Sequence, residues 1–276
     1  MKKIILITFL STILNACAFN LEQEAYDFDN FKGTPLEELA LAVRNDDSKA
    51  IDDILKTQKL PVDYKESYYE QTLLALAIQN KKKIAIVALL KHGANPNELI
   101  GDPKDATPFI YAIENVENCD LFYVESLLKY GADPNLEIKN PKPGYYFAHS
   151  IPLLVAIGNR KDNGNECVDL IRLLVDKGAN INYCPENSLT DICEGVIYQS
   201  LISNSMVTLR YFVIDKKIKI PKIAFIKGGY NKDSQEKYTL AAILNSEDYT
   251  FTRPDLSEIK KAKEDVLKYL KDSGQE

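Results

Sequence analysis

Three seven-residue stretches of the chain share one grammar: KHGANPN at residues 91–97, KYGADPN at 129–135 and DKGANIN at 176–182. Within each, glycine permits the left-handed backbone that closes a helix at its C-terminal end, and Asn, Asp and Pro then shape a tight turn. One such turn is unremarkable. Three copies mean that a single supersecondary unit is reused, and a chain built that way folds by stacking copies of the unit on one another.

A second signature precedes each copy. Ala-[Val/Ile]-x-Asn stands at Ala42-Val43-Arg44-Asn45, Ala77-Ile78-Gln79-Asn80, Ala112-Ile113-Glu114-Asn115, Ala156-Ile157-Gly158-Asn159 and Ala242-Ile243-Leu244-Asn245, with a degenerate member at Leu201-Ile202-Ser203-Asn204. The first three are 35 residues apart and the next step is 44. Six units therefore tile the chain from about Thr34, each reading as helix, short turn, helix and extended loop. The first helix opens on Thr-Pro or its relics (TPLEELALA, QTLLALA, ATPFIYA, SIPLLVA), and proline suits a first helical turn because its missing N–H is not needed there. The second helix carries apolar residues seven, four and three places before the glycine: Ile86, Leu89 and Leu90; Val124, Leu127 and Leu128; Ile171, Leu174 and Val175. That spacing is a single buried stripe. The first unit repeats it with Ile51, Ile54 and Leu55.

These phrases resemble the ankyrin repeat, whose period is about 33 residues and whose first helix begins Thr-Pro-Leu-His-x-Ala. The resemblance spans roughly 240 of the 276 residues and implies an all-α fold: an ankyrin-like helical-repeat solenoid of about six helix-pair units with protruding loop or hairpin fingers. Ala75, Ile110 and Leu154 stand where the family has its histidine. One helix pair cannot bury both faces, so each unit is expected to cover its neighbour, with polar outer surfaces at the ends. The charged segment 255–276, with Leu256, Ile259, Val266, Leu267 and Leu270 on one stripe, reads as a capping helix.

Two fingers are unusual. Residues 136–150, LEIKNPKPGYYFAHS, place Tyr145, Tyr146 and Phe147 after turn-setting prolines and a glycine. Residues 63–71, DYKESYYEQ, place Tyr64, Tyr68 and Tyr69 beside Glu66 and Glu70. Aromatics at a turn tip suit a partner-binding hot spot, and tyrosine with acid suits a basic partner. The same rings also suit a small satellite core against the next finger.

The first residues are a separate object. Lys2 and Lys3 precede an apolar run of roughly ten residues, the length of a signal-peptide core and too short to span a bilayer. Leu14-Asn15-Ala16-Cys17 then resembles the bacterial lipoprotein signal, which implies removal of residues 1–16 and a lipid on Cys17. Ala18 in the next place, where retention in the inner membrane calls for aspartate, implies outer-membrane attachment facing the periplasm. Residues 17–33 read as the lipidated N-terminus and a flexible spacer of about 20–24 Å reach, and residues 34–276 as the repeat domain. Losing Lys2 and Lys3 takes Lys+Arg from 34 to 32 against 40 acids, so the formal charge moves from −6 to −8. Such a surface disfavours phosphate backbones and favours a partner protein with a basic or mixed surface.

Cys119, Cys167, Cys184 and Cys193 remain after Cys17. In an oxidising compartment an even number invites two disulfides, and three pairings are open, as are buried free thiols. Cys119 and Cys167 both start the second helix of consecutive units, where axes about 8–10 Å apart must be brought to a Cα separation of roughly 4.4–6.8 Å.

No phosphate loop, nucleophile elbow, zinc-helix motif or pair of C-x-x-C clusters is present. His92 precedes a helix-ending glycine, where a cation is favourable, and His149 lies in the long finger. The expectation is a monomeric, non-enzymatic protein-binding module without cofactor or metal, working through its finger tips and concave helix face. The alternative that the resemblance suggests is an immunity protein occluding a toxic effector such as a phospholipase.

Overall fold

A computed structural model describes residues 27–101, 106–138, 151–160, 164–183, 195–220, 239–245 and 257–275. Among them the regular structure is helical, with two isolated antiparallel bridges, Ile100–Ala106 and Arg160–Glu166. The helices come in pairs: α1 (Glu37–Arg44) and α2 (Ser48–Thr57), α3 (Leu73–Gln79) and α4 (Lys83–Lys91), α5 (Pro108–Glu114) and α6 (Phe122–Lys129), α7 (Pro152–Ala156) and α8 (Val168–Asp176), α9 (Val196–Ile202) and α10 (Met206–Arg210), α11 (Leu240–Asn245) and α12 (Ser257–Asp272). Two compact units contain them. The first comprises the chain to Asn115 with Tyr123–Ala132, and the second Val116–Phe122 with the chain from Asp133 onward.

In the first unit, α1 packs on α3 and α3 on α5, while α2 packs on α4. First helices thus stack on first helices and second on second, as the repeat requires. In the second unit α7 packs on α9, α8 on α10 and α10 on α12. The recurring alanine is what permits the close approach: Ala42, Ala77, Ala112 and Ala156 are all buried. Of the second-helix stripe, the positions seven and four before the glycine are buried throughout, whereas Leu128 and Val175 are only half-buried.

The loop phrase is explained letter by letter. Gly93, Gly131 and Gly178 have φ of 90, 94 and 93°, the left-handed residue that ends a helix. The next residue, Ala94, Ala132 or Ala179, is buried and donates its N–H to the carbonyl five residues back, at Leu89 (3.1 Å), Leu127 (2.9 Å) or Leu174 (2.9 Å). Asn95, Asp133 and Asn180 then accept on Oδ1 the N–H two residues on (3.0, 2.8 and 2.9 Å), which forms an Asx turn. The final asparagine reaches the next finger. Asn97 Nδ2 donates to Gly131 O (2.8 Å), Asn135 Nδ2 to Gly178 O (2.9 Å), and Asn180 N–H donates back to Asn135 Oδ1 (2.7 Å). In the first finger Asp63 Oδ1 takes the equivalent N–H, from Asn95 (2.8 Å).

The Ala-x-x-Asn signature closes the first helices similarly. Asn80 and Asn115 return Nδ2 to the carbonyls of Leu76 (2.9 Å) and Tyr111 (2.8 Å), while Asp46 and Lys81 adopt φ of 56 and 57°. Thr72 and Thr107 cap α3 and α5 through Oγ1, with Pro108 in the first turn of α5.

The joints between neighbouring pairs differ chemically. Asp46 Oδ1 accepts the Ala85 N–H at the start of α4 (2.7 Å). Lys83 Nζ lies 5.4 Å from the Tyr123 ring centroid. Cys119 and Cys167 form a disulfide with a Cα separation of 5.6 Å. Buried Glu166 accepts the N–H groups of Val207 (2.9 Å) and Thr208 (2.8 Å), and Arg160 Nη2 donates to Ser203 O (3.0 Å) and Asn204 O (3.2 Å).

Four expectations require correction. Packing begins before Thr34: Phe28 and Phe31, assigned to the spacer, lie in a 3₁₀ turn, Phe28–Phe31, and are buried. Arg44 holds that turn by pairing with Asp27 and Asp29 and lying 5.9 Å over the Phe28 ring. Lys32 first, and Arg44 after it, keep the Asp29 carboxyl below the usual carboxylate range. Cys119 lies in the turn before α6, not in a second helix, and Cys167 is the N-cap of α8. Ala242 faces outward while Ala241 and Leu244 are buried, a one-residue shift in the sixth pair. Finally, Ile202 is exposed, so only Leu201 of the degenerate member serves the core.

Removing the rung should cost stability in proportion to the two bonds lost: Asn135→Ala is expected to lower unfolding free energy by about 1–2 kcal/mol, measured by urea titration. Asp63 carries the opposite lesson. Burial pushes its carboxyl up, a shift that Asn95 opposes and Glu98 reinforces. A raised carboxyl contributes stability that is full below the unfolded pKa and is lost as pH rises through the folded one. Asp63→Asn keeps the Oδ1 acceptor without the buried charge, so it should stabilise the protein at pH 7 and show a smaller advantage at pH 3. Reduction of the Cys119–Cys167 bond, whose cysteines are separated by 48 in sequence, should cost about 2–4 kcal/mol, read as a lower urea midpoint in dithiothreitol.

Candidate protein-binding surface

The first finger is built around one buried acid. Glu66, 1% exposed, accepts the N–H groups of Tyr68 (2.7 Å), Tyr69 (2.8 Å) and Gln71 (3.0 Å), and its own N–H donates to Gln71 O (3.1 Å). A carboxylate gathering three backbone donors fixes the loop around it. Tyr68 is thereby displayed: it is 81% exposed, with its ring centroid 6.4 Å from that of Tyr69. Tyr64 points the other way, half-buried with its ring 6.3 Å from that of Phe31. Of the three tyrosines of this finger, one is presented, one flanks it and one belongs to the packing under the N-terminal turn.

The second finger continues the surface. Lys65 Nζ meets Glu98 Oε1 at 2.6 Å, and Gly101 N–H donates to Glu70 O (3.3 Å). Beside Glu98, Leu99 is 39% exposed, while Ile100 beneath it is fully buried with Ala75, Ala106 and Tyr111. The sequence reads Glu66 as acid displayed toward a basic partner, and the structure corrects this, since the carboxylate is buried on three backbone N–H groups; Leu99 carried no sequence signal. An acid between Lys65 and Ser67 reads as solvated, and one leucine in a polar loop has no period to place it.

Cys119 is half-buried and Cys167 buried, so their disulfide lies at the edge of the packed interior. Asn118 and Cys119 have φ of 50 and 64°, a pair of left-handed residues at the turn that carries the crosslink. Cys17, Tyr145, Tyr146, Phe147, His149, Cys184 and Cys193 lie outside the described residues.

His92 is the C-cap of α4, and its Nε2 is 2.7 Å from Asp52 Oδ1 on α2. That contact is the main reason the Asp52 carboxyl sits below its ordinary value, Lys56 adding to it. The histidine thus ties two second helices together. Among the described residues no cluster of three or more His, Cys, Asp or Glu is placed to hold a metal ion. Nor is any helix among them long and apolar enough to cross a membrane.

The two exposures of tyrosine separate display from support. Tyr64→Ala should lower stability by about 1–2 kcal/mol through lost aromatic packing, whereas Tyr68→Ala should leave the melting temperature within about 1 °C of the parent, as expected for an exposed side chain; differential scanning fluorimetry distinguishes them.

Residues 39–138 match the family of ankyrin repeats (3 copies). The crystal structure of the human ASB11 ankyrin repeat domain aligns with 65% of this chain and 68% of its own, at 20% identity and a TM-score of 0.43. No curated protein matches the chain. Residues 39–138 are therefore similar to ankyrin repeats, which are generic protein–protein interaction modules.

Proposed function

We propose that this chain is a membrane-anchored, periplasmic protein-binding module of the bacterial envelope, tethered by a lipid on Cys17 and recognising its partner through finger tips and the concave helix face. The observation that carries the reading is Tyr68. A large aromatic 81% exposed at the end of a loop locked by a buried carboxylate is costly to leave facing water and already ordered for contact. Leu99 extends the apolar spot, and Glu70 and Glu98 beside it, on a chain of formal charge −6, suit a basic or mixed partner surface. The location draws on the leader and the Leu14–Cys17 motif, and the Cys119–Cys167 disulfide supports it because such bonds persist in oxidising compartments. Tyr145, Tyr146 and Phe147 on the long finger are assigned to the same surface, as are Tyr64 and Tyr69 at its edge. A second disulfide, Cys184–Cys193, completes the proposed framework.

Neutralisation of a toxic effector is the narrower form of this function, by occlusion of the enzyme with the same fingers. It requires the partner to be an enzyme that harms the cell from the periplasm.

A Cys17→Ser form used as bait in periplasmic extract should retain a partner, and Tyr68→Ala should weaken that binding at least about thirtyfold with the fold intact. Equal binding by both forms would remove the first finger from the interface. Labelled palmitate should enter the parent and not Cys17→Ser. For the narrower form, cells lacking the protein should die when the captured enzyme reaches their periplasm; normal growth would leave binding without neutralisation.

A further inference from the structure

Among the described residues the finger ladder stops after the fourth finger. Asn97 and Asn135 each reach the next finger's glycine carbonyl, and Asn135 also accepts the N–H two residues beyond that glycine. By the same register Asn182 should reach the left-handed residue that closes the second helical segment of the fifth pair. That residue is Lys217, with φ of 50°, followed by Ile218 and Lys219. The Asn182 side chain makes no such bond among the described residues. Its own N–H is satisfied locally, by Asn180 Oδ1 (2.9 Å).

The cause is visible one helix earlier. After α10 the chain runs into a π-helical turn, Tyr211–Asp215, which inserts one residue. Ala94, Ala132 and Ala179 close on the carbonyl five residues back, but Ile218 N–H reaches six back, to Phe212 O (3.1 Å). The chain therefore enters the fifth finger one residue late. Between the fourth and fifth fingers lies an open groove of about 310 Å³, lined by Ile181, Asn182, Val196, Ile197, Ile218 and Lys219. Helical insertions of this kind recur at functional sites.

We infer that this groove takes an extended segment of a partner polypeptide. The occupant follows from the ladder itself. In the complete rungs the asparagine amide faces a polypeptide backbone, Asn97 and Asn135 each giving N–H to a carbonyl and Asn135 also offering O to an N–H; Asn182 presents the same two groups at the groove's edge. An extended chain supplies both, and its alternate side chains face one way, toward Ile181, Ile197 and Ile218. Val196 and Ile197 form the floor and are firmly packed, 2 and 3% exposed, whereas Ile218 is half-buried and Asn182 and Lys219 are exposed. The segment therefore carries an aliphatic residue flanked by residues free to extend, with an acidic residue favoured beside Lys219. This site uses neither Tyr68 nor the first two fingers, so it goes beyond the proposed function and stands or falls apart from it.

The test uses the full chain bearing Cys17→Ser. A phage-displayed library of random dodecapeptides is panned on it, and enriched peptides are synthesised and titrated by fluorescence anisotropy. Peptides with a central aliphatic residue are expected. Their affinity should fall at least tenfold in Ile218→Glu and about fivefold in Asn182→Asp, which loses the donor but not the shape. It should be unchanged in Tyr68→Ala. Asn182 is exposed and Ile218 half-buried, and circular dichroism checks that each variant melts with the parent. The inference is overturned if no peptide is enriched, or if peptides bind equally to Ile218→Glu. It is also overturned by dependence on Tyr68 instead, which would place them at the first finger. Nuclear Overhauser contacts from the Ile218 methyls to residues 184–194 or 221–238 of the same chain would overturn it too, since the protein would then fill its own groove. So would a dimer that Ile218→Glu dissociates.

Discussion

A single side-chain amide, repeated, sets the spacing of the fingers. In each complete rung the asparagine four places after the helix-closing glycine bridges to the next finger, so a loop is positioned by its neighbour as well as by its own turn. Burial drives the stacking of the helices, but burial is non-directional and leaves the fingers' spacing undetermined. The amide supplies the direction. That division of labour explains why Gly, Ala, Asn and Asn recur together: the glycine frees the backbone, the alanine plugs it inward, the first asparagine turns it, and the last one reads the adjacent loop. None of these residues touches a ligand for that purpose, and their repetition records an interface inside the protein.

The display of Tyr68 depends on the same logic applied once. Fingers one and two are held by Asp63 to Asn95 and by Lys65 to Glu98, and within the first finger Glu66 gathers three N–H groups. A loop so constrained loses little further entropy when a partner arrives. The aromatic is thus ordered before binding. The buried acid beneath it is structural, and the exposed ring above it is available for function.

Much of this was legible in the sequence, and the failures have physical reasons. Helix pairing, the Thr-Pro starts and the buried stripe at positions seven and four before the glycine follow from period and capping, which are local. Three features were not legible. Glu66 is buried because of where the backbone donors of Tyr68, Tyr69 and Gln71 point, and no pattern of residue types encodes that. Tyr64 and Phe31 find one another across more than thirty residues, so an acidic, aperiodic stretch read as spacer proves to be the start of the packed domain. The π-helical turn after Arg210 comes from an apolar run, Tyr211 to Ile214, that periodicity alone reads as ordinary helix. In the sixth pair Ala242-Ile243-Leu244-Asn245 fits the motif by residue type, but Leu240, Ala241, Ile243 and Leu244 are the buried positions, so Ile243 takes the place that Ala42 has in the first pair.

The contacts described above between neighbouring elements are made of different materials: a carboxylate accepting a helix N–H, an ammonium over a ring, a covalent sulfur bridge, and an arginine with a buried glutamate holding the start of α10. Identical joints would all weaken under the same insult. Here thiol acts on the sulfur bridge alone, while Asp46 and Glu166 both rely on a carboxylate acceptor. The sulfur bridge carries a further meaning in that light. Unlike the non-covalent contacts, it cannot re-form by simple collision after breakage, because closing it again requires an electron acceptor, and the chain's recovery from damage at that point is therefore in the hands of its surroundings.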